Sequence, residues 1–392
     1  MNFDIWSFEK KPLPEILSFI VDNRGKTVPT TENGHILIAT NCIKNENLYP
    51  SYEKIRYLSE ETYQNWFRAH PKPGDILFVC KGTPGRVCMV PDPIDFCIAQ
   101  DMVALRANEA IVYNKYLLAV LRSARIQKQI EQTSVGDVIP HFKKSFFNQL
   151  LIPIPPMQIQ RIIGDYYFVF SEKVEINNKI NDNLQQQAAA LFSSLYDRSN
   201  TEVRFTDLIQ ILGGGTPKTG ENTYWNGNIA FFTPKDVGIP YTLITEKTIS
   251  KEGLSHCNSR LYPVNTVFVT ARGTVGKVGM SGVPMAMNQS CYALVGKETH
   301  QLLVYFYTLK AVDRLKHKAS GAVFDAITTR DFESEQIMKL SDDDATAFLR
   351  VAEPMFQEVL NNNIENLRLS TLRDSLLPKL MSGEIDVSDI QL

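Results

Sequence analysis

Two eight-residue segments stand out for their chemistry: GTPGRVCM at 82–89 and GTVGKVGM at 273–280, identical at five positions, with Arg86 matched by Lys277. Glycine lets a backbone come close to a ligand. Threonine hydroxyls and N–H groups donate to phosphate oxygens, and arginine or lysine donates to guanine edges in a major groove. A second pair of polar turns, Arg24-Gly25-Lys26-Thr27 and Gly215-Thr216-Pro217-Lys218, has the same makeup. Such loops suit close approach to a phosphate backbone.

Within these turns Lys81, Arg86, Arg272 and Lys277 are the leading contact candidates, with Thr83 and Thr274 beside them and Arg24, Lys26 and Lys218 in the second pair. Asn41, Lys44, Thr233, Lys235, Asn288 and Gln289 fall on expected loops and join the candidates, because Asn and Gln pair bidentately with adenine. The alternative reading of G-T-x-G between β-branched runs is a hairpin turn with exposed basic neighbours.

Several catalytic chemistries fail on spacing. Arg272 to Lys277 is glycine-rich, but G-x-x-x-x-G-K-[ST] is not satisfied and Val278 stands where a metal-binding hydroxyl belongs. Neither Pro155-Pro156-Met157 nor Pro91-Asp92-Pro93 supplies the Asn/Asp-Pro-Pro-aromatic loop with which an adenine methyltransferase grips a flipped base. His35, His70, His141, His256, His300 and His317 occur singly, without an H-x-x-x-H pair. Cys42, Cys80, Cys88, Cys97, Cys257 and Cys291 form no C-x-x-C pair and read as reduced, mostly buried apolar residues. No catalytic residue and no metal site is expected.

The elements that position these turns occur twice. Phe78-Val79 matches Phe268-Val269, Gln100 matches Gln289, Gly136 matches Gly321 and Asn177-Asn178 matches Asn361-Asn362, in order and at nearly constant separation. A long-period repeat of this kind sets the architecture. Each copy opens with short apolar runs, such as Ile36-Leu37-Ile38, Ile76 to Val79 and Thr266 to Thr270, punctuated by Gly, Pro and Asn. These predict mixed α/β domains over 1–154 and 201–340.

Each copy then turns helical. Residues 157–197 contain no proline and a single glycine, Gly164, and carry an apolar stripe that includes Ile176, Ile180 and Leu184. The spacing predicts one helix of roughly 60 Å at 1.5 Å per residue. Residues 343–377 repeat the stripe through Leu360, Ile364 and Leu367, with Pro354 expected to kink or split the helix near its start. The spacers, 155–200 and 341–392, are expected to pair antiparallel, with Ile176, Ile180, Leu184, Leu360, Ile364 and Leu367 in the seam or facing a partner protein. Helices covering one large core are the alternative. The fold class is therefore α+β, two repeated domains separated by two helical regions.

A formal charge of -2 argues mildly against a nucleic-acid binder, but residues 331–392 hold 13 acids against 5 bases, leaving 36 bases against 30 acids over 1–330. The amino terminus lacks the pattern of a signal peptide, and no apolar run approaches about 18 residues, which predicts a cytoplasmic protein with no membrane partner.

The segments GGGTPKTGENTYWNGNIAFFTPKDV (213–237), TARGTVGKVGM (270–280), MNQSCYALV (287–295), NLQQQAAALFSSLYD (183–197) and LRDSLLPKLMSGEIDV (372–387) resemble the specificity subunits of type I restriction-modification systems. DNRGKT (22–27) and GDVIPHFKKSFFNQLLIPIPP (136–156) match the corresponding amino-terminal pattern, so the resemblance spans nearly the whole chain. It departs at Ser341 to Asp344, where the family often has a Pro-rich entry to the second arm, and at Cys80-Lys81, which replaces an arginine-bearing approach to G-T-x-G.

The resemblance implies a non-catalytic reader in which each domain recognises one half of a split site in double-stranded DNA and the helices dock modification (methyltransferase) subunits. It further implies that S-adenosylmethionine sits on those subunits, that ATP and Mg belong with the partner subunits, including a restriction (motor-nuclease) subunit, and that this chain binds no cofactor. Two other classes stay open at this point: a protein scaffold working through its long helices, and a nuclease whose carboxylates meet only in the fold.

Overall fold

The structure is a computed structural model that describes residues 4–23, 25, 27–98, 100–136, 138–238, 240–318 and 326–385. The chain divides into two units, Met1–Ile176 with Asn366–Leu392, and Asn177–Glu365, so the division falls inside the long helices.

In the first unit the short apolar runs become strands β1 (Lys10–Pro12), β2 (Leu17–Val21), β3 (His35–Ile38), β4 (Arg56–Leu58), β5 (Ile76–Val79), β6 (Val87–Met89), β7 (Phe96–Ile98), β8 (Met102–Ala107) and β9 (Leu151–Pro153). The helices are α1 (Glu60–Asn65), α2 (Asn114–Arg122), α3 (Ala124–Thr133) and the first half of α4 (Met157–Asp197). Sheet orders are β2-β8-β5-β6, β4-β3-β7 and β1-β9. Strand β5 is apolar throughout because both of its faces are covered. Ile76 and Phe78 enter the core beneath α2 and α3, whereas Leu77 and Val79 enter a second core with Ile38, Cys88 and Ile98. Each such side chain contributes about 1.5–3 kcal/mol by leaving water.

The second unit repeats this plan with β10 (Thr201–Arg204), β11 (Ile209–Gly213), β12 (Trp225–Phe232), β13 (Tyr241–Thr242), β14 (Lys247–Ile249), β15 (Val267–Thr270), β16 (Val278–Ser281), β17 (Met285–Met287), β18 (Cys291–Gly296) and β19 (Gln336–Lys339). Its helices are α5 (Phe205–Leu208), α6 (Lys251–Ser255), α7 (Gln301–Lys318), α8 (Thr329–Ser334) and α9 (Asp342–Ser382), with α9 shared between the units. Sheet orders are β11-β18-β15-β16-β13, β14-β12-β17 and β10-β19, which reproduce the first unit strand for strand and add β13. The class is α+β.

Both long helices are continuous. Gly164, the glycine inside α4, sits where α2 presses close: a Cβ there would lie 2.6 Å from the Tyr116 backbone nitrogen. Of the kink or split expected at Pro354, the split does not occur: α9 runs unbroken from Asp342 to Ser382. Pro354 lies on the exposed side, so the backbone bond it forgoes is open to water, while Phe348, Ala352, Phe356 and Val359 are buried and hold both flanks of the proline in one core. The Asp-rich entry also works as a helix start. Ser341 Oγ accepts from the Asp344 backbone N–H at 3.1 Å, and the three aspartates complement the helix dipole.

In each unit the two arms meet antiparallel. In the first unit Arg373 reaches Ser171 Oγ at 3.3 Å, and Leu377, Leu380 and Met381 share a core with Ile162, Ile163 and Tyr167. In the second unit Ala188 and Phe192 share a core with Phe348, Ala352 and Leu360, and Leu184 and Ile364 pack against its edge. Ile176 and Ile180, expected in the seam or facing a partner protein, are exposed, and Leu367 is half-buried. Polar residues take the inner positions beside Ile176 and Ile180. Asn177 donates to Glu365 Oε2 at 2.7 Å, and Asn181 bonds both Asn362 and Asn363 at 2.9 Å. Hydrogen bonding among Asn181, Asn362 and Asn363 offsets much of the cost of burying these three amides, so the seam does not need the isoleucines.

Candidate DNA-recognition surface

The two G-T-x-G segments are hairpin loops, one joining β5 to β6 and the other joining β15 to β16. The turn reading and the contact reading therefore describe one object. Val79 N–H donates to the Arg86 carbonyl at 2.9 Å and Gly85 N–H to the Val79 carbonyl at 3.0 Å. The second copy repeats both bonds, from Thr270 to Lys277 at 3.0 Å and from Gly276 to Thr270 at 2.9 Å. Gly82 and Gly85, like Gly273 and Gly276, lie at positive φ, between +75° and +88°. Only a residue without a Cβ takes that path freely. In both loops the basic residues before and after, Lys81 and Arg86 or Arg272 and Lys277, are exposed, as are Thr83 and Thr274.

Around the second hairpin the fold gathers residues from four segments. Thr233, Lys235, Thr274, Lys277 and Asn288 line one cleft of about 500 Å³, together with Pro234, Glu246, Lys247 and Gly273. Three ammonium groups face it against one carboxylate, and Glu246 stands 3.6 Å from Lys235. Asp236 builds the wall: its carboxylate accepts from Thr233 N–H at 2.8 Å, Thr233 Oγ1 at 2.6 Å and Glu246 N–H at 2.7 Å. Thr233 thus spends its hydroxyl proton on the loop. Asn288 Oδ1 accepts from Ser290 N–H at 3.0 Å, and Thr274 Oγ1 donates to the Pro234 carbonyl at 3.2 Å.

Three other candidates of this unit do not line the cleft. Gln289 is exposed and bonds to Thr216, which ties the 213–220 loop to the turn after β17. Lys218 is exposed, and its carbonyl accepts from Trp225 Nε1 at 3.1 Å. Arg272 flanks the hairpin and bridges through its backbone to Ala326.

In the first unit, Thr83 lines a cleft of about 740 Å³ with Gly82, Pro84, Lys128, Glu131, Gly136 and Pro140. Lys81 bridges through its backbone to His141. Asn41 and Lys44 are both engaged by Glu53, Asn41 at its carbonyl and Lys44 at its carboxylate. Arg24 and Lys26 lie outside the described residues, as does Gly321.

Sequence reasoning overlooked Glu246, Lys247 and Lys128. Lys247 begins β14, and the register that sets it opposite Phe231 on β12 brings it to the cleft that Thr233 also lines. Lys128 lies on α3, where its spacing reads as an ordinary solvated helix face.

Burial pushes the Cys97 and Cys291 thiols up to about 12, and Cys88 higher still, which marks these side chains as core rather than reactive groups.

The model of the type I restriction modification DNA specificity domain matches this chain twice, over residues 7–186 and 198–339. The chain belongs to that family. Its two matches fall on the two copies described above, so the repeated hairpins lie in tandem specificity domains.

Among relatives, the type I restriction enzyme HindI specificity subunit of Haemophilus influenzae is 23% identical, over 80% of this chain and 87% of its own. The MjaIX specificity subunit of Methanocaldococcus jannaschii is 21% identical, over 82% and 80%. The fold is similar to that of the type I restriction-modification S subunit from M. genitalium, with a TM-score of 0.60 and 16% identity over 95% of this chain and 96% of that one. This is a DNA-recognition chain of a type I system. Among the described residues, no helix is long and apolar enough to cross a membrane.

Proposed function

We propose that each specificity domain reads one half of a bipartite site in double-stranded DNA and that the helical arms dock methyltransferase subunits, with the motor-nuclease subunit joining that assembly. The observation that carries this is the recurrence, in both units, of one glycine-kinked hairpin with the same bonds and the same exposed basic flanks. A domain of this size reaches only a few base pairs, so two tandem domains read two short sequences with tolerated bases between them.

The chemistry resides elsewhere in this reading. S-adenosylmethionine belongs to the methyltransferase subunits, ATP and Mg belong with the partner subunits, and this cytoplasmic chain is a reader that binds no cofactor. Its charge of -2 makes the lone chain a weak binder, with basic surface on the methyltransferase subunits supplying much of the phosphate attraction.

Titration of one duplex carrying the methylated motif, with the lone chain and with the chain assembled on its methyltransferase, tests this. Assembly should raise affinity by at least tenfold. Equal affinity and specificity for the lone chain would refute the division of labour.

A further inference from the structure

Beside the first hairpin the chain makes a second, tighter loop. Val135 N–H donates to the His141 carbonyl at 3.1 Å and His141 N–H returns a bond to the Val135 carbonyl at 2.8 Å. Gly136 turns at a φ of +101°, where a Cβ would stand 2.7 Å from the Ile139 carbonyl oxygen. The loop is then fastened to the G-T-x-G hairpin: Gly82 N–H donates to the Pro140 carbonyl at 3.0 Å, and Phe142 N–H to the Cys80 carbonyl at 2.8 Å. Beneath it, the buried Phe142 ring stacks on Phe147 at 5.6 Å.

This anchored loop presents apolar side chains to water. Val138 is 93% exposed and Ile139 55%. Elsewhere in the chain valine and isoleucine are mostly core residues, and holding two of them out on a fastened turn gains nothing for the fold. The surroundings are basic: the neighbouring hairpin carries Lys81 and Arg86, Lys128 lines the cleft between hairpin and loop, and exposed Lys143 follows two residues after His141. Among the described residues Glu131 is the one acid lining that cleft, Asp137 precedes the tip in the sequence, and Lys144 is spent on Asp22 at 3.3 Å.

We infer that the Val138-Ile139 tip is a specificity-determining contact of the first domain, making apolar contact with the bases of its half-site. The inference deepens the half-site reading proposed above and rests on it. Two apolar side chains are too few for the core of a stable protein interface, which buries upwards of about 1,200 Å². Set among cations and glycine turns, they suit DNA, where an apolar tip packs on thymine 5-methyl groups in the major groove or wedges between base steps in the minor groove.

The test uses the chain assembled with its methyltransferase and the motif that the wild-type assembly methylates. Duplexes carrying that motif, with each thymine replaced in turn by uracil, are compared between the wild type and the double variant Val138→Ser with Ile139→Ser. For methyl contact, the wild type should lose about fourfold for each contacted methyl removed, within one half-site only. The double variant should lose that discrimination and leave the other half-site as it was. For a wedge, 2-aminopurine placed in the same half-site should brighten on binding the wild type and stay dark with the variant.

A variant that binds and methylates with unchanged preference overturns the inference. So does a variant that unfolds at the wild-type temperature but no longer assembles with the methyltransferase, since the tip would then be a protein contact. Failure of the half-site reading itself is separately visible, as a wild-type assembly whose methylation shows no split motif.

Discussion

Asn362 donates a hydrogen bond to the Asn181 side-chain oxygen at 2.9 Å across the helix pair of the second unit, and both side chains are buried. Asn181 passes the interaction on to Asn363 at 2.9 Å. Paired amides of this kind fix one register of two helices, because sliding either helix leaves a buried donor or acceptor without its partner.

Truncating one member should therefore cost more than replacing both. Asn362→Ala strands the Asn181 oxygen and should lower stability by about 1–3 kcal/mol in urea unfolding. Replacing Asn181 and Asn362 together by leucine should restore much of the loss while weakening the preference for one register. Equal stability of Asn362→Ala and wild type would contradict this role.

The hairpin glycines differ from their neighbours in a way a stability measurement reads. At Gly85 the φ is +86° and a Cβ would lie 3.0 Å from Ile130 Cγ2, so Gly85→Ala should cost at least about 1–2 kcal/mol. Gly213 has open space and an ordinary φ, and Gly213→Ala should stay within about 0.5 kcal/mol of wild type.

Lys277 faces the cleft of the second unit among two other lysines. As a phosphate contact its removal should weaken DNA binding for all sequences alike and reduce the slope of log affinity against log salt by about one. Titrations of assembled Lys277→Ala over several salt concentrations check this. An unchanged slope with relaxed preference at one base pair would make Lys277 a base reader instead.

His70 has a lowered pKa, chiefly because burial disfavours the imidazolium, with His35 adding to the effect and the Tyr63 carbonyl at 3.1 Å opposing it. The unfolded state therefore takes up this proton at a higher pH than the folded one. The His70 contribution to stability is complete above the ordinary imidazole range and declines as pH falls through about 6.5 towards the lowered value. Thermal unfolding between about pH 8 and 5 should fall less steeply for His70→Gln than for wild type.

Much of this arrangement was legible in the sequence because it is written twice. The matched G-T-x-G segments, the apolar runs at Ile76 and Val267, and the proline-free stretch after Pro156 mark strands and helix through ordinary periodicity. Polar burial was not legible. Asn177 and Asn181 look like solvated helix residues, and only their partners on α9, the Glu365 carboxylate and the Asn362 amide, reveal why they, and not Ile176 and Ile180, face inward.

The cleft of the second unit is legible in part for the same reason. Thr233, Lys235, Thr274, Lys277 and Asn288 are residue types that suit a contact, but that they share one cleft follows from sheet register, as does the inclusion of Lys247. The bonds from Thr233 to Asp236 leave no trace in spacing, and neither does the exposure of Val138.

The most direct test of the central claim is to map methylated adenines in cells that carry the cognate methyltransferase with this chain, with no such chain, and with residues 201–340 exchanged for those of a relative. The account predicts a split motif with a fixed gap of tolerated bases, absent without the chain and altered in one half only by the exchange. Methylation that persists without the chain, or a motif the exchange leaves intact, would contradict it.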